Sequence, residues 1–161
     1  MIRKHKQFTK PRKAFEKSRI KEENVLVKKY GLKNKREIWK TLAKIKYFRT
    51  RAKALAKATF DEQQVLLGKL KIIGLNTHTL ADVLALNVED LLKRRLSSVV
   101  VGKGLAQTQK HARQMVIHKK ILIDNKVVNS PSYIVKVKEE SLIFKREKIL
   151  KPVAEVIKEA V

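Results

Sequence analysis

The sequence predicts an α+β protein in which a helical N-terminal half precedes a small domain of paired helices and short antiparallel strands. Apolar residues recur every three or four positions through most of the first 118 residues, the spacing of amphipathic helices. Short apolar runs then flank Asp124 and Asn125, which indicates a tight hairpin. The 161 residues suit one or two small domains, and a hydrophobic fraction of 43% is too high for a wholly disordered chain.

The first two helices are predicted from capping residues and apolar spacing. Ser18 is expected to cap the first helix, and Gly31 to end it. Asn34 is expected to begin the second, with Glu37 at the capping-box spacing. This second helix has few acidic partners for its cations, which favours a binding surface over a merely solvated one. Its apolar side consists of Ile38, Leu42, Ile45, Phe48, Ala52 and Leu55.

Capping residues predict three more helices in the middle of the chain. Each begins with Thr or Asn followed three positions later by an acid: Thr59 with Glu62, Thr79 with Asp82, and Asn87 with Asp90. The first of these helices is expected to end at Gly74. The last is expected to continue to Val99 or Val100. Together they should form the hydrophobic body of the protein.

The last part of the chain combines one helix with strands. Thr108 is expected to cap a helix over residues 109–118, and strands are expected at 121–123 and 127–128 around the hairpin turn. Two more strands are predicted at 133–137 and 142–144. The resulting organisation is a basic arm over 1–18, a helical region over 19–92, a small domain of paired helices and strands over 93–145 and a tail over 146–161.

The charge of the chain points to a polyanionic partner. The sequence has 39 Lys+Arg against 15 Asp+Glu, for a net charge of +24. The net charge is +17 over residues 1–57, −3 over 58–92 and +8 over 93–128. Two separate basic blocks favour a long nucleic acid over an anionic membrane surface, which a single amphipathic helix would bind. An acidic protein partner stays an alternative.

Several classes of site and location are disfavoured by composition. The chain has no Cys, which excludes disulfides and thiolate metal sites. The longest uncharged stretch, residues 72–81, is shorter than the roughly 18 residues of a membrane span. The N-terminus lacks the apolar region of a signal peptide, so we expect a cytoplasmic protein without a membrane partner. His111 and His118 are too far apart for a metal pair on one helix. We therefore expect no catalytic, cofactor-binding or metal-binding residues.

Two short helices that pack their apolar sides together would form a cationic ledge beside the hairpin. Arginine suits such a ledge because its planar fork makes paired hydrogen bonds to phosphate. Trp39, Tyr47 and Phe48 are candidates for base stacking, although packing in the core is the favoured interpretation. The residues expected on the outer surface of the ledge are Arg94 or Arg95, Lys103, Lys110, Arg113 and Lys119.

The motifs of this ledge resemble the S4 RNA-binding domain. They are Lys93-Arg94-Arg95-Leu96, Lys103-Gly104-Leu105-Ala106, Ala112-Arg113-Gln114, His118 and Ser130-Pro131-Ser132-Tyr133. Upstream, residues 29–37 and Trp39 resemble the archaeal and eukaryotic branch of the ribosomal protein S4 family. The resemblance covers most of residues 20–138. The sequence differs from the family at Val101-Gly102, where Tyr-Arg is frequent, at Lys119, where Gly is usual, and at Asp124-Asn125, where Asn-Gly is usual.

The resemblance implies a ribosome-bound primary binder of the 5′ domain of small-subunit ribosomal RNA. Such proteins nucleate subunit assembly, contact ribosomal protein S5 and influence the accuracy of translation. The motif positions imply that Arg94, Arg95, Lys103, Lys110, Arg113, Gln114 and His118 face RNA or organise that face. Further RNA-binding residues are expected among the basic residues of the second helix and its approach, and after the last helix: Lys33, Lys35, Arg36, Lys40, Arg49, Arg51 and Lys119.

Three other functions stay open at this point. An RNA chaperone or stalled-ribosome rescue factor with an S4-type domain would bind large subunits. An RNA-modifying enzyme would need a catalytic residue in a separate domain, for which the chain has little space. A DNA-binding protein with helix-turn-helix geometry would prefer duplex DNA to structured RNA.

Overall fold

The computed structural model describes residues 6–146, and most of them are helical. The helical half contains α1 (Lys17–Lys29), α2 (Lys35–Leu55), α3 (Phe60–Ile73), α4 (Leu80–Ala85) and α5 (Val88–Lys93). The C-terminal domain contains α6 (Leu96–Gly102), α7 (Gln109–Ile117), β1 (Ile121–Ile123), β2 (Lys126–Val127), α8 (Val137–Glu140) and β3 (Ile143–Lys145). The predicted α+β class is confirmed. Within residues 6–146, no helix is both long and apolar enough to cross a membrane.

The predicted N-terminal arm is described from residue 6, and it contacts the first two helices. The rings of Phe8 and Trp39 lie 5.9 Å apart, centroid to centroid. Arg19 of α1 donates hydrogen bonds to the carbonyl oxygens of Lys13 and Ala14. Residues 1–5 of the arm and residues 147–161 of the predicted tail lie outside the described residues.

Some of the predicted caps form and others do not: Thr59 precedes α3 as expected, but the box predicted with Glu62 is wrong because Thr59 makes no side-chain cap hydrogen bond. Thr79 and Asp82 form the expected capping box: the Asp82 carboxylate accepts from the Thr79 N–H at 2.9 Å, and the Thr79 hydroxyl accepts from the Asp82 N–H at 3.3 Å. The expected box at Asn34 and Glu37 is wrong, because the Glu37 carboxylate binds two arginines instead. The cap predicted at Ser18 is also wrong, since α1 begins one residue earlier, after Glu16.

The helix expected to run from Asn87 to Val100 is divided at Arg94 and Arg95. Arg95 is extended and forms an isolated antiparallel bridge with Ile134. The Arg94 carbonyl accepts from the Val135 N–H at 3.0 Å, and the Leu96 N–H donates to the Tyr133 carbonyl at 2.8 Å. These bonds outweigh local helix propensity. The strand predicted over 133–137 is therefore wrong: only its bridge to Arg95 forms, and α8 begins at Val137.

The three strands form a small antiparallel sheet in the order β2-β1-β3. Asp124 and Asn125, with φ of 49° and 59°, supply the two left-handed positions of a two-residue hairpin turn. Leu122 lies opposite Val127 on one side and Phe144 on the other. The predicted hairpin is confirmed, and so is the strand predicted near 142–144.

Separate cores stabilise the two halves of the protein. One core packs α6 and α7 against the sheet, with Leu96, Val100, Val116 and Ile121 fully buried. A second core joins α2, α3 and α4, and a smaller third core joins α1, α2 and α5. Helix α2 contributes to both cores of the helical half with one side. Its other side faces the C-terminal domain across a groove, and the candidate site lies there.

Candidate nucleic-acid interface

Arg94 lies at the junction of the two halves rather than on the outer surface. Its guanidinium donates to the Ile73 carbonyl at 2.9 Å, to the Val135 carbonyl at 3.1 Å and to the Glu140 carboxylate at 2.9 Å. Its side chain is only 16% exposed. The expectation of an exposed Arg94 is wrong because two backbone carbonyls and one carboxylate from distant elements meet around this side chain. Arg94 connects the end of α3 to α8.

Arg95 and Arg113 share the carboxylate of Glu37, and these three residues are called the Glu37 clasp. Arg95 donates to Glu37 Oε2 at 2.7 Å, and Arg113 donates to Oε2 at 3.1 Å and to Oε1 at 2.8 Å. Arg95 is 5% exposed and the Arg113 side chain 18% exposed, so the predicted positions of both on the outer surface are also wrong, because Glu37 binds both guanidiniums. Burial alone would raise the pKa of Glu37, but the hydrogen bonds from Arg113 and Arg95 hold this pKa below its ordinary value. The clasp therefore retains one excess positive charge.

A row of exposed side chains follows α2 beside the clasp and is called the α2 stripe. Arg36, Lys40 and Lys44 are spaced four residues apart, and Tyr47 and Arg51 continue the row along the helix. Glu37, the acid on this side of the helix, already forms ion pairs with Arg95 and Arg113. Partial burial lowers the pKa of Lys44, and so do the charges of Arg95 and Lys40. The local field is therefore strongly positive.

The clasp and the α2 stripe from Arg36 to Tyr47 line a groove of about 840 Å³ between α2 and the C-terminal domain, called the α2 groove. Phe8 of the arm, Ile73 at the end of α3 and the loop residues Ser132 and Ile134 complete its walls. Its cations are Arg36, Lys40, Lys44, Arg95 and Arg113, and Glu37 is the carboxylate among its lining residues. A groove of this charge and shape can bind a phosphate backbone.

A second basic surface lies on the outer side of α7. Its N-terminus is capped by the Thr108 hydroxyl, which accepts from the His111 N–H at 3.2 Å, as predicted. His111, Gln114 and His118 line a shallow depression of about 300 Å³ with Met115 and Lys120. The predicted residues Lys110, Gln114 and His118 are exposed and follow one another at four-residue spacing on this surface, and the predicted residues Lys103, after α6, and Lys119, after α7, are exposed as well.

The other predicted residues divide between the surface and the interior. Lys33 is exposed. Lys35 lies 3.4 Å from the Glu23 carboxylate, which also accepts from Trp39 Nε1 at 2.9 Å. Burial would raise the pKa of Glu23, but the hydrogen bonds from Trp39 and Arg19 keep it below its ordinary value. Arg49 is half-buried and donates to the Leu86 carbonyl at 2.6 Å.

Lys44, Tyr47 and His111 line these surfaces but were not among the predicted RNA-binding residues. The sequence already contained a signal for Lys44, because its four-residue spacing from Lys40, and of Lys40 from Arg36, puts all three on the same side of the helix. Tyr47 was expected in the core, yet it is 58% exposed. Among residues 6–146, no group of three or more His, Asp or Glu could hold a metal ion.

Comparison with known proteins identifies the family of this chain. The S4 domain model matches residues 94–141, from the Arg94 junction to the end of α8. The chain is 45% identical over 144 residues to the small ribosomal subunit protein uS4 of Methanothermobacter thermautotrophicus, an alignment that covers 86% of this chain and 84% of the relative. It is 43% identical over 149 residues to uS4 of Picrophilus torridus, with 86% and 81% covered. The chain belongs to the uS4 family of ribosomal proteins.

The uS4 relatives are archaeal, which agrees with the archaeal type expected from residues 29–37. The uS4 protein of Ignicoccus hospitalis, for example, is 45% identical over 144 residues, with 86% of this chain and 87% of the relative covered. The uS4 proteins are structural proteins of the small ribosomal subunit, a family not known for enzymatic activity. This agrees with the prediction that the chain is not an enzyme. Both the S4 domain and the helical half are shared with these relatives.

Proposed function

We propose that this protein is a primary binder of small-subunit ribosomal RNA, in its 5′ domain, and that it nucleates assembly of the subunit. The observation that carries the proposal is the presence of two basic surfaces. One is the α2 groove, between α2 and the S4 domain, and the other is the outer side of α7 within the S4 domain. Both surfaces have more cations than their acids can neutralise, which suits a phosphate backbone.

The predicted RNA-binding residues take three different roles in this proposal. Arg95 and Arg113 organise the groove through Glu37. Arg94, Lys35 and Arg49 stabilise the fold through bonds to carbonyl and carboxylate groups. The direct contacts to phosphate and sugar come from the exposed residues Lys33, Arg36, Lys40, Arg51, Lys103, Lys110, Gln114, His118 and Lys119. Recognition depends on the shape of folded RNA, because phosphate contacts alone carry little sequence information.

Two finer features of the proposal come from resemblance to the family. We propose that the protein contacts ribosomal protein S5 on the subunit and through it influences the accuracy of translation. We also propose that it is a cytoplasmic protein bound to ribosomes. The high net charge of +24 supports permanent association with a polyanion, because a free protein of this charge repels itself.

A filter-binding titration of the full chain tests the proposed function. The probes are a transcript of the 5′ domain of archaeal 16S-type RNA, a large-subunit RNA transcript of equal length, and duplex DNA, all at one salt concentration. We expect at least a 100-fold preference for the 5′ domain, in line with specific over non-specific binding. Equal affinity for the three probes would contradict the proposal. A preference for the large-subunit transcript would favour a rescue factor or chaperone instead.

A further inference from the structure

We infer that the α2 groove holds one unpaired nucleotide of the bound RNA, with its phosphate between Lys44 and Arg95 and its base against Tyr47. This inference rests on the proposed function, because it identifies what the groove takes from the RNA. It adds Lys44 and Tyr47 to the RNA-binding residues. It also assigns the groove to a single nucleotide rather than to a double-helical backbone.

An unused hydrogen-bond donor supports the phosphate position. Arg95 is only 5% exposed and binds Glu37 through a terminal nitrogen, but its Nε has no hydrogen-bond partner among the described residues. A buried donor without a partner is unfavourable, so a ligand acceptor that reaches it is favoured. Arg95 lines the α2 groove together with Lys40 and Lys44. A phosphate oxygen is a suitable acceptor for this set of donors.

The charge balance of the groove supports an anion as well. Five cationic residues and one carboxylate line it, for a net charge of +4, and that carboxylate already accepts bonds from both clasp arginines. Partial burial, Arg95 and Lys40 all lower the pKa of Lys44. A bound phosphate would offset the repulsion that Lys44 experiences from Arg95 and Lys40.

The position of Tyr47 favours an unpaired base. Its ring is 58% exposed on the α2 stripe, one turn beyond Lys44, and lies 5.8 Å from the ring of Phe48, centroid to centroid. An exposed aromatic ring beside a basic groove is the arrangement with which proteins stack the bases of single strands. Asn34, Thr41 and Ser132 also line the groove and provide amide and hydroxyl groups for a base edge. The groove volume of about 840 Å³ lies within the range of small-ligand pockets.

Two substitutions separate the phosphate contact from the base contact. Lys44→Ala removes one phosphate contact, so the slope of log affinity against log salt for the 5′-domain transcript should decrease by about 0.7–0.9. Tyr47→Leu removes the stacking ring without removing a charge. It should lower affinity on the order of 5- to 150-fold and leave the salt slope unchanged. Tyr47→Phe retains the ring and should bind like the unsubstituted protein.

Lys53→Ala is the matched control for Lys44→Ala. Lys53 is exposed on the same helix, but it lies about two and a half turns further on and therefore on the opposite side. Its removal should change neither affinity nor salt slope beyond the general effect of one charge. If Lys44→Ala and Tyr47→Leu both behave like Lys53→Ala while the protein still prefers the 5′ domain, the nucleotide inference is overturned and the proposed function survives. Loss of the preference in the unsubstituted protein would instead reject the proposed function.

Lysine acylation followed by mass spectrometry provides a second readout on the folded chain. Binding of the 5′-domain transcript should protect Lys44 from acylation and leave Lys53 reactive. An acidic protein segment is the alternative occupant, and polyglutamate serves as its probe. Protection of Lys44 by polyglutamate but not by the transcript would overturn the inference in favour of a protein partner. A photo-crosslink from Tyr47 to one unpaired nucleotide of the transcript would support it.

Discussion

The Arg94–Arg95 pair and the α2 stripe are both strongly basic, but their side chains have different partners. Arg94 and Arg95 bind carbonyl and carboxylate groups of the protein and are largely buried. Arg36, Lys40 and Lys44 lie exposed with other cations as their neighbours. A basic motif in a nucleic-acid-binding protein therefore has two physical uses. An arginine whose donors have acceptors within the protein stabilises the fold, and a cationic donor without such an acceptor among the described residues, such as Arg95 Nε, attracts phosphate.

The largest effect expected from this comparison is the loss of stability on Arg94→Ala. The substitution leaves the Ile73 and Val135 carbonyls and the Glu140 carboxylate without their shared donor. We expect a cost of about 3–5 kcal/mol in the free energy of unfolding, measured in urea. Lys44→Ala should change stability by less than about 0.5 kcal/mol, because its side chain is exposed beside like charges. Equal effects of the two substitutions would contradict the distinction between the clusters.

A second substitution tests the Arg94 junction without changing a charge. Gly74 ends α3 with a φ of 83°, and an added Cβ would lie 2.8 Å from the Arg94 guanidinium. We expect Gly74→Ala to cost about 2–3 kcal/mol, from the left-handed backbone and from displacement of Arg94. Gly68→Ala is the control: it lies inside α3 with no atom near the added Cβ, and should stabilise the protein by about 0.5–1 kcal/mol. Thermal unfolding of both variants measures the difference.

The Glu37 clasp makes stability depend on pH. The pKa of the Glu37 carboxyl in the folded state lies below the ordinary value of 4.5. The contribution of this carboxylate to the free energy of unfolding is therefore fully present above pH 4.5 and is lost as the pH falls through the folded-state pKa. Glu37→Gln should cost about 1–2 kcal/mol near pH 7, since the amide binds two guanidiniums more weakly. The difference from the unsubstituted protein should shrink below pH 4.5. Urea unfolding between pH 7 and pH 3 measures this, and a difference that stays constant would contradict the role of the ionised clasp.

Local signals allowed most of the fold to be predicted, and long-range contacts account for the errors at Glu37 and at the Arg94–Arg95 division. The Thr79 and Thr108 caps and the Asp124-Asn125 turn depend on neighbours within three residues, and all three predictions are correct. The division at Arg94 and Arg95 depends on hydrogen bonds to residues 133–135, almost forty positions away.

Prediction of the candidate site had the same limit. Helical spacing was sufficient to put Arg36 and Lys40 on one side of α2. The burial of Arg95 depends on a carboxylate 58 positions away, so the sequence pattern alone could not distinguish it from an exposed cation. Glu37 had a plausible local role as a cap, and its actual partners come from α7 and the residue before α6. Basic residues whose partners are distant are therefore the ones that pattern analysis assigns incorrectly.

The smallest effect concerns Lys119, which follows α7 at a position where the resemblance to the S4 domain leads us to expect glycine. Its φ of 57° is left-handed, so the turn keeps the conformation that glycine favours although a lysine occupies it. Lys119→Gly should therefore stabilise the protein by about 0.4–1 kcal/mol while it removes an exposed cation from the outer side of α7. We expect a higher unfolding temperature together with a smaller salt slope for RNA binding. Lys120→Gly, outside the left-handed region, is the control and should lower the unfolding temperature. Lower stability of Lys119→Gly would mean that the lysine side chain itself stabilises the turn. Lys119 would then stabilise the fold, as Arg94 does, rather than serve as a free cation for phosphate like those of the α2 stripe.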